Sequence, residues 1–347
     1  MEKVLVGMSG GVDSSVSAIL LQEQGYEVIG ATMQLWKNDN SLKEQEDAKK
    51  VCEKLKIKHY IFDATECFKK NVIDNFINCY KCAKTPNPCI ECNKNLKFAY
   101  FYEKAKELGC EYIATGHYAN VEYNNKYKTY VIKKSRSKTK DQTYVLYGIK
   151  KEIIPYIKFP LGNFETKDEI RQIAKNYGIN VANKPDSQEI CFIPDNDYVK
   201  FLKNHGVNKN IEGNIVHVNG EILGRHKGII NYTIGQRKGL WIAYKNPLYV
   251  VKLNLDRNEV IVGEEKYIFR NELYVNDVNM LIPINKDNMK IKAKIRYSAK
   301  EADAELIHKD EDTIKVVFDS PQRAITPGQS IVFYDDDGIV LGGGKIQ

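Results

Sequence analysis

The chain opens on an apolar run, Val4-Leu5-Val6, which passes through Gly7 into Met8-Ser9-Gly10-Gly11-Val12-Asp13-Ser14-Ser15 and then into a helical pattern. Apolar residues at every position, with no polar alternation, read as a strand buried on both faces. Similar runs recur at Val28 to Leu35, Tyr60 to Asp63 and Tyr112 to Thr115, with helical periodicity between them. This alternation predicts an α/β fold with a doubly wound parallel sheet over roughly residues 1–205. Ser41-Leu42-Lys43-Glu44 and Thr166-Lys167-Asp168-Glu169 have the form of capping boxes that open helices, and Gly109 closes a helix from about Lys94 to Leu108. Such sheets bind ligands beyond the carboxyl ends of their strands near the switch point. The loop Ser9 to Ser15 falls on that edge, and so do Gly116 and His117.

Beyond about residue 205 the texture changes to short strands with turn signals. Asn219-Gly220 between Ile215-Val216-His217-Val218 and Glu221-Ile222-Leu223 is a hairpin signal, and Asp256 to Asn258 and Asp335 to Gly338 read as turns. Two β-rich modules are expected, a small central one over 206–268 and a β-barrel over 269–347.

Composition narrows the picture. Over 347 residues, 52 Lys and Arg stand against 45 Asp and Glu, a net charge of +7 that suits a polyanionic partner without demanding one. No run of about 18 apolar residues could span a membrane, and a strand stands where a signal peptide would, so a cytoplasmic protein is expected. In that reducing compartment the eight cysteines are not expected to form a disulfide framework. Lys133 to Lys140, basic and without apolar anchors, reads as a mobile loop, either a solvated surface or an RNA-phosphate contact.

Three segments carry candidate chemistry. The glycines at 10 and 11 let the backbone approach an anion, and the following helix points its unpaired N–H groups and positive dipole end at it. Ser9, Ser14 and Ser15 could add hydroxyl donors, and Asp13 could hold Mg2+ against phosphates. No Gly-Lys-Ser/Thr closes the loop, so it is not a Walker A sequence. The second segment is Thr85-Pro86-Asn87-Pro88-Cys89-Ile90-Glu91-Cys92-Asn93-Lys94, where a proline-bounded loop should deliver Cys89 and Cys92 to a helix start and favour their thiolates. The third is Asp186-Ser187-Gln188-Glu189-Ile190-Cys191-Phe192-Ile193-Pro194. Alone, Cys191 beside Ile and Phe reads more readily as a small core residue than as a reactive thiol. Cys79-x-x-Cys82 ahead of Cys89-x-x-Cys92 has a zinc-like form, but the gap of six residues is short for a zinc ribbon. Cys52, Cys67 and Cys110 fall at packing positions.

The phosphate loop resembles that of the ATP pyrophosphatases. The three segments together resemble the tRNA-uridine 2-sulfurtransferase, or 2-thiouridylase, family. So do Thr115-Gly116-His117-Tyr118, Lys140-Asp141-Gln142, Tyr232 to Leu240, Arg296-Tyr297 and Pro327-Gly328-Gln329, so the likeness runs nearly end to end. It implies an ATP pyrophosphatase domain over 1–205 and a tRNA-contacting barrel over 269–347. ATP would be held by Gly7, Met8, Ser9, Gly10, Gly11, Val12, Asp13 and Ser14, with Met33 and Gly116 at the adenosine. O2 of the wobble uracil would be adenylated. A persulfide on Cys191 would then deliver sulfur, with Cys92 as partner nucleophile in a transient disulfide. Asn87, Pro88 and Cys89 would surround a flipped-out target base. His117, Lys140, Asp141, Gln142, Arg296, Tyr297 and Gln329 would contact tRNA. A sulfur-donor protein, a cysteine desulfurase or a relay, is implied as a second partner.

Two departures stand out. Some members carry Asp at the position of Cys89. The cysteine here offers, with Cys92 and Cys191, three thiolates for a 4Fe–4S cluster with an open iron. Ala83 stands where a glycine is common. Another adenylating synthetase, of the argininosuccinate or GMP type, would share the loop without needing the distant cysteines. A non-enzymatic nucleotide-binding RNA adaptor would need neither Asp13 nor the cysteine pair.

Overall fold

The computed structural model describes residues 1–36, 39–179, 190–193, 195–207, 211–283, 288–308 and 313–347. Among them the chain forms two compact units, one of residues 1–72, 89–179 and 334–342, the other of residues 73–88, 190–333 and 343–347.

The first unit is built on a parallel sheet of β1 (Lys3–Gly7), β2 (Glu27–Gln34), β3 (Lys58–Asp63), β4 (Tyr112–Ala114) and the two-residue β7 (Ile157–Lys158), in the order β3-β2-β1-β4-β7. Val6 stands opposite Gly30 on one side and Ala114 on the other. Val4, Leu5 and Val6 are fully buried, as an apolar run with no polar alternation requires. Helix α1 (Val12–Glu23) packs its apolar residues into the same core as Val51 and Cys52 of α2 (Asp39–Leu55) and Ile170 and Ala174 of α7 (Lys167–Asn176). The doubly wound reading therefore holds. An antiparallel hairpin of β5 (Ala119–Asn124) and β6 (Thr129–Lys134), not foreseen, follows β4.

Thr166 opens α7 with a full capping box: its side chain accepts from the Glu169 N–H while Glu169 accepts from the Thr166 N–H. Ser41 does not play that part. Helix α2 already begins at Asp39, and the Ser41 hydroxyl donates to the Trp36 carbonyl at 2.9 Å. Gly109, at φ +68°, ends α6 (Phe101–Glu107) as expected, but that helix is the tail of a longer segment that starts at Pro88 and includes a π-helical stretch, Asn93–Tyr100. The basic segment 133–140 is not a loose loop. Lys133 and Lys134 belong to β6, Ser135 and Ser137 are buried, and the Ser135 N–H donates to the Asp141 carboxylate at 3.0 Å.

The second unit carries α4 (Asp74–Lys81), α8 (Tyr198–Asn204), a four-stranded sheet and most of the residues of a closed barrel. The sheet runs β10-β11-β8-β9, from β8 (Gly213–His217), β9 (Ile222–His226), β10 (Tyr249–Asn254) and β11 (Glu259–Gly263). The hairpin through Gly220 and the turn at Asn258 lie where the sequence signals them. The barrel closes in the order β12-β15-β14-β13-β16-β17, where β12 is Phe269–Met280, β13 Asn288–Lys294, β14 Ala302–His308, β15 Ile314–Arg323, β16 Ser330–Tyr334 and β17 Val340–Ile346. Inward residues alternate along β14 and β15, with Ala304, Leu306, Val316 and Phe318 inside, as barrel closure demands.

Ala83 follows the last turn of α4 at φ +52°, the left-handed conformation that normally takes glycine. The departure noted in the sequence therefore carries a steric cost. Ala83→Gly is expected to stabilise the protein by about 1 kcal/mol, read as a higher denaturation midpoint in urea with an unchanged slope.

Candidate nucleotide and thiol site

Because β1, β2 and β4 are parallel, their carboxyl ends share one edge of the sheet, and the loop 8–11, Met33 and Gly116 all lie along it. The loop is fastened to its neighbour strand: the Met8 N–H donates to the Ala31 carbonyl at 2.8 Å, and the Thr32 hydroxyl to the Met8 carbonyl at 2.8 Å. Gly10 adopts φ +67°, and a Cβ there would stand 2.7 Å from the Glu44 carbonyl oxygen. Gly11 is the N-cap of α1 and has no side chain to cap it. The unpaired N–H groups of the first turn are thus left for an anion.

The serines behave differently from expectation. Ser14 and Ser15 turn inward, both donating to the Gly11 carbonyl, at 3.0 and 2.9 Å. Ser15 is wholly buried. Only Ser9 is exposed at the loop's rim, where its backbone N–H donates to Ser14 Oγ at 3.2 Å.

Asp13 sits in the first turn of α1 with both carboxylate oxygens engaged. The Tyr118 hydroxyl donates to Oδ1 at 2.9 Å and the Lys167 ammonium to Oδ2 at 2.8 Å. Gly116 makes this possible, because a Cβ there would fall 2.9 Å from Asp13 Cβ and from the Ser14 nitrogen. Lys167 escaped the sequence reading because an ion pair across 154 positions leaves no local signature.

His117, the next residue, is buried between Phe98 and Phe159 and shares a 2.8 Å hydrogen bond with Thr115 Oγ1. Burial, with help from Lys97, holds its imidazole well below its ordinary range, so it is neutral at pH 7. It is placed as an internal residue and not as a cation facing phosphate. Asp141 accepts from the Ser135 N–H and the Thr143 hydroxyl, and Gln142 Oε1 accepts from the Tyr118 N–H at 2.9 Å. These two hold the turn, while the Lys140 side chain is half-buried.

Cys89 and Cys92 lie on the short helix α5 (Pro88–Cys92), Cys89 exposed and Cys92 buried. The helix-start expectation of an easily formed thiolate fails at Cys92. Burial pushes its thiol up to about 11; Lys97 opposes this, while Cys89 and Cys67 add to it. Cys191 in the second unit is exposed, although its neighbours Phe192 and Ile193 are buried, Phe192 against Phe76 and Phe201. The core alternative for Cys191 is thereby removed. Asp186, Ser187, Gln188, Glu189 and Pro194 lie outside the described residues. None of the eight cysteines forms a disulfide. Cys52 and Cys110 are buried, and burial pushes the Cys52 thiol up to about 12. Among the described residues no three Cys, His, Asp or Glu side chains are gathered as a metal requires.

In the second unit the stretch before α5 is strapped down. The Thr85 N–H donates to the Pro327 carbonyl at 2.9 Å, and Gln329 Nε2 donates to the Thr85 and Pro86 carbonyls at 2.9 and 3.3 Å. A Cβ at Gly328, φ +89°, would stand 2.8 Å from Lys84 Cβ. Gln329 thus holds the backbone that leads to Asn87 and Pro88. Arg296 likewise donates through Nη2 to the Ile234 and Ala324 carbonyls, at 3.3 and 2.7 Å, and to Thr326 Oγ1. Tyr297 is exposed, with the Lys294 ammonium 5.5 Å from its ring centre. The exposed Arg237 and Lys238 are followed by Trp241, 94% exposed, which the sequence reading passed over.

Comparison with known proteins bears on the chain along its whole length. Residues 2–195 match a family model described as a tRNA methyl transferase HUP domain, residues 199–264 a tRNA methyl transferase PRC-barrel domain, and residues 270–346 an aminomethyltransferase β-barrel domain. The chain is 50% identical over 356 positions to a tRNA-specific 2-thiouridylase MnmA of Clostridioides difficile, covering 100% of this chain and 98% of that protein. The chain belongs to the tRNA-specific 2-thiouridylase family. The relative of the same name from Acetivibrio thermocellus is also 50% identical, over 359 positions and 99% of its length. One named MnmA 1 from Clostridium botulinum is 49% identical over 358 positions.

The thiol placement has a direct consequence. Alkylation with iodoacetamide at pH 8, followed by peptide mass spectrometry, should modify the exposed Cys191, Cys89 and Cys82 and spare Cys92. Labelling of Cys92 should rise only as the pH approaches about 11.

Proposed function

We propose that this chain carries out the ATP-dependent 2-thiolation of the wobble uridine of tRNA. What carries this reading is a phosphate-type loop at the switch point of a parallel sheet, in a chain that matches 2-thiouridylases along its whole length. The family models bear a methyl-transferase description, but an ATP-type loop followed by paired thiols suits activation of an oxygen and its replacement by sulfur.

ATP binds with its phosphates at Gly7 to Ser14 and its adenosine toward Met33 and Gly116. The half-exposed Asp13 carboxylate is the residue to hold Mg2+, which supplies positive charge to the phosphates. The uracil O2 attacks the α phosphorus, the bond to the β-phosphate bridging oxygen breaks, and pyrophosphate leaves with the electron pair. The terminal sulfur of a Cys191 persulfide then attacks C2, and AMP departs with the former O2. The Cys92 thiolate attacks Cys191 Sγ, the S–S bond breaks toward the base, and 2-thiouridine is left beside a transient Cys92 to Cys191 disulfide. A thiol reductant reopens that disulfide. The persulfide sulfur comes from a donor protein, a cysteine desulfurase or a relay.

Burial pushes the Cys92 thiol up to about 11, so it stays protonated at pH 7. The resolving step therefore calls for a rearrangement that relieves its burial once the base is engaged. Residues 1–205 form the catalytic domain in this reading, 206–268 a central module and 269–347 the tRNA-contacting barrel. Asn87, Pro88 and Cys89 surround the flipped base, and Tyr297 offers a stacking face to RNA. Lys140 adds a cation for phosphate, and Arg296, Gln329, His117, Asp141 and Gln142 contribute by holding the surfaces that RNA meets. The protein acts in the cytoplasm. Among the described residues no helix is long and apolar enough to cross a membrane.

The decisive measurement is nucleoside mass spectrometry of tRNA after incubation with ATP and a persulfide source. Wild type is expected to yield 2-thiouridine and release pyrophosphate. Cys191→Ser should release pyrophosphate without thiolation. Pyrophosphate release that follows a free amino acid or nucleotide in place of tRNA would overturn the reading in favour of a synthetase.

A further inference from the structure

The loop 237–248, between β9 and β10 of the second unit, takes no part in the chemistry above, yet it is held in one form. Leu240 and Leu248 are buried within it. Gln236 pins its start, accepting from the Thr233 N–H at 3.0 Å and donating to the Lys238 carbonyl at 3.0 Å. Its two aromatic residues go opposite ways. Tyr244 stacks on the buried His217, 5.1 Å between ring centres, and His217 in turn stands 3.2 Å from the Glu264 carboxylate. Trp241 is 94% exposed, on a backbone at φ +55°, a left-handed conformation that favours glycine.

A bulky residue in that conformation carries strain, and a ring left in water returns no burial to offset it. Strain of this kind gathers where a residue meets a ligand. The surroundings of the ring indicate which ligand. The segment 237–248 supplies Arg237, Lys238 and Lys245, all exposed, and no carboxylate. Glu264, beneath Tyr244, is engaged by His217 and Asn246. The segment curls around an open cavity of about 620 Å³ with Trp241 on its wall, well within the roughly 300–1,000 Å³ of ordinary ligand clefts. A protein partner would seat such a ring in a well-packed apolar patch, whereas here Lys245 and Asn246 are exposed beside it. Three cations around one open indole suit a polyanion with flat faces.

We propose that the loop 237–248 is a second RNA-binding element, in which Trp241 receives an unstacked base of the tRNA other than the target base and Arg237, Lys238 and Lys245 take the flanking phosphates. The loop offers no thiol, carboxylate or imidazole, so the base held there does not react. Stacking on an indole tolerates any base, so the contact adds affinity and register and not sequence choice.

This inference rests on the tRNA reading, and the test separates the two. The full chain and its variants are titrated against fluorescently labelled, unmodified tRNA by anisotropy at several salt concentrations, and are unfolded in urea. Trp241→Gly should weaken tRNA roughly tenfold, by the same factor at every salt concentration, because stacking releases no counterions. The same variant should unfold at a higher urea midpoint, since it relieves the left-handed strain and gives up no burial, whereas removal of a ring that merely propped the loop would lower affinity and midpoint together. Trp241→Phe should keep most of the affinity. Lys238→Ala should instead reduce the slope of log affinity against log salt by about 1. Unchanged tRNA affinity in Trp241→Gly would overturn the proposal, and so would affinity lost together with stability. Weakened binding of a cysteine desulfurase by Trp241→Gly, with tRNA binding intact, would overturn it in favour of a protein partner. Failure of the wild type to bind tRNA at all would remove the tRNA reading and this proposal with it.

Discussion

The candidate nucleotide site depends on one close approach, that of the backbone at Gly116 to the first turn of α1. A Cβ at Gly116 would overlap Asp13 and Ser14 at 2.9 Å, so any larger residue would push the exit of β4 away from the loop. With the glycine in place, Tyr118 lies two residues further on and reaches the Asp13 carboxylate. Gly10 does the same on the other side, where it lets the loop pass the Glu44 carbonyl of α2. The side-chain chemistry of the site follows from these two backbone contacts. The carboxylate is oriented by a phenol and an ammonium, and the N–H groups of the helix start are left facing outward.

The cysteines illustrate a contest between two effects that sequence alone cannot weigh. A helix start favours a thiolate by about 0.3–1 kcal/mol. Burial that lifts Cys92 from the ordinary thiol range to about 11 costs the thiolate roughly 3 kcal/mol, so desolvation wins. Cys191 meets the opposite circumstance. Phe192 and Ile193 go inward against Phe76 and Phe201 and leave the thiol outside. An exposed thiol is open to reagents and partners, whereas a buried one is protected from oxidation.

The sheet, the barrel and the loop were readable because each leaves a local trace: uninterrupted apolar runs, two-residue alternation, turn residues and adjacent glycines. What escaped is what forms across distance. Ser14 and Ser15 carry hydroxyls that could have faced a phosphate, yet each can instead close on the Gly11 carbonyl three or four positions back, a choice that helix geometry makes. In the sequence Lys167 is one position of a capping box, and only the packing of α7 beside α1 brings its ammonium to Asp13. The segment 133–140 read as loose because its anchors are hydrogen bonds and buried serines, which hydropathy does not register.

The residues expected to touch RNA divide along a physical line. Gln329 spends its amide on the Thr85 and Pro86 carbonyls, and Arg296 spends Nη2 on Ile234, Ala324 and Thr326. Each such bond is worth about 1 kcal/mol, and more where the donor is charged, so turning either side chain toward a phosphate would first undo contacts of comparable strength. In the proposed reading their effect on RNA is exerted through the loops they hold, the stretch at Thr85 and Pro86 in one case and the strand-connecting loop at Ile234 in the other. Tyr297 and Trp241 are placed differently. Both are exposed, with Lys294 near one and Arg237 and Lys238 shortly before the other, and a flat ring beside a cation is an arrangement on which an unstacked base can stack. In the proposed reading the residues that shape the RNA surface are thus separate from those that touch it, and replacing one of the first would damage binding through displaced backbone.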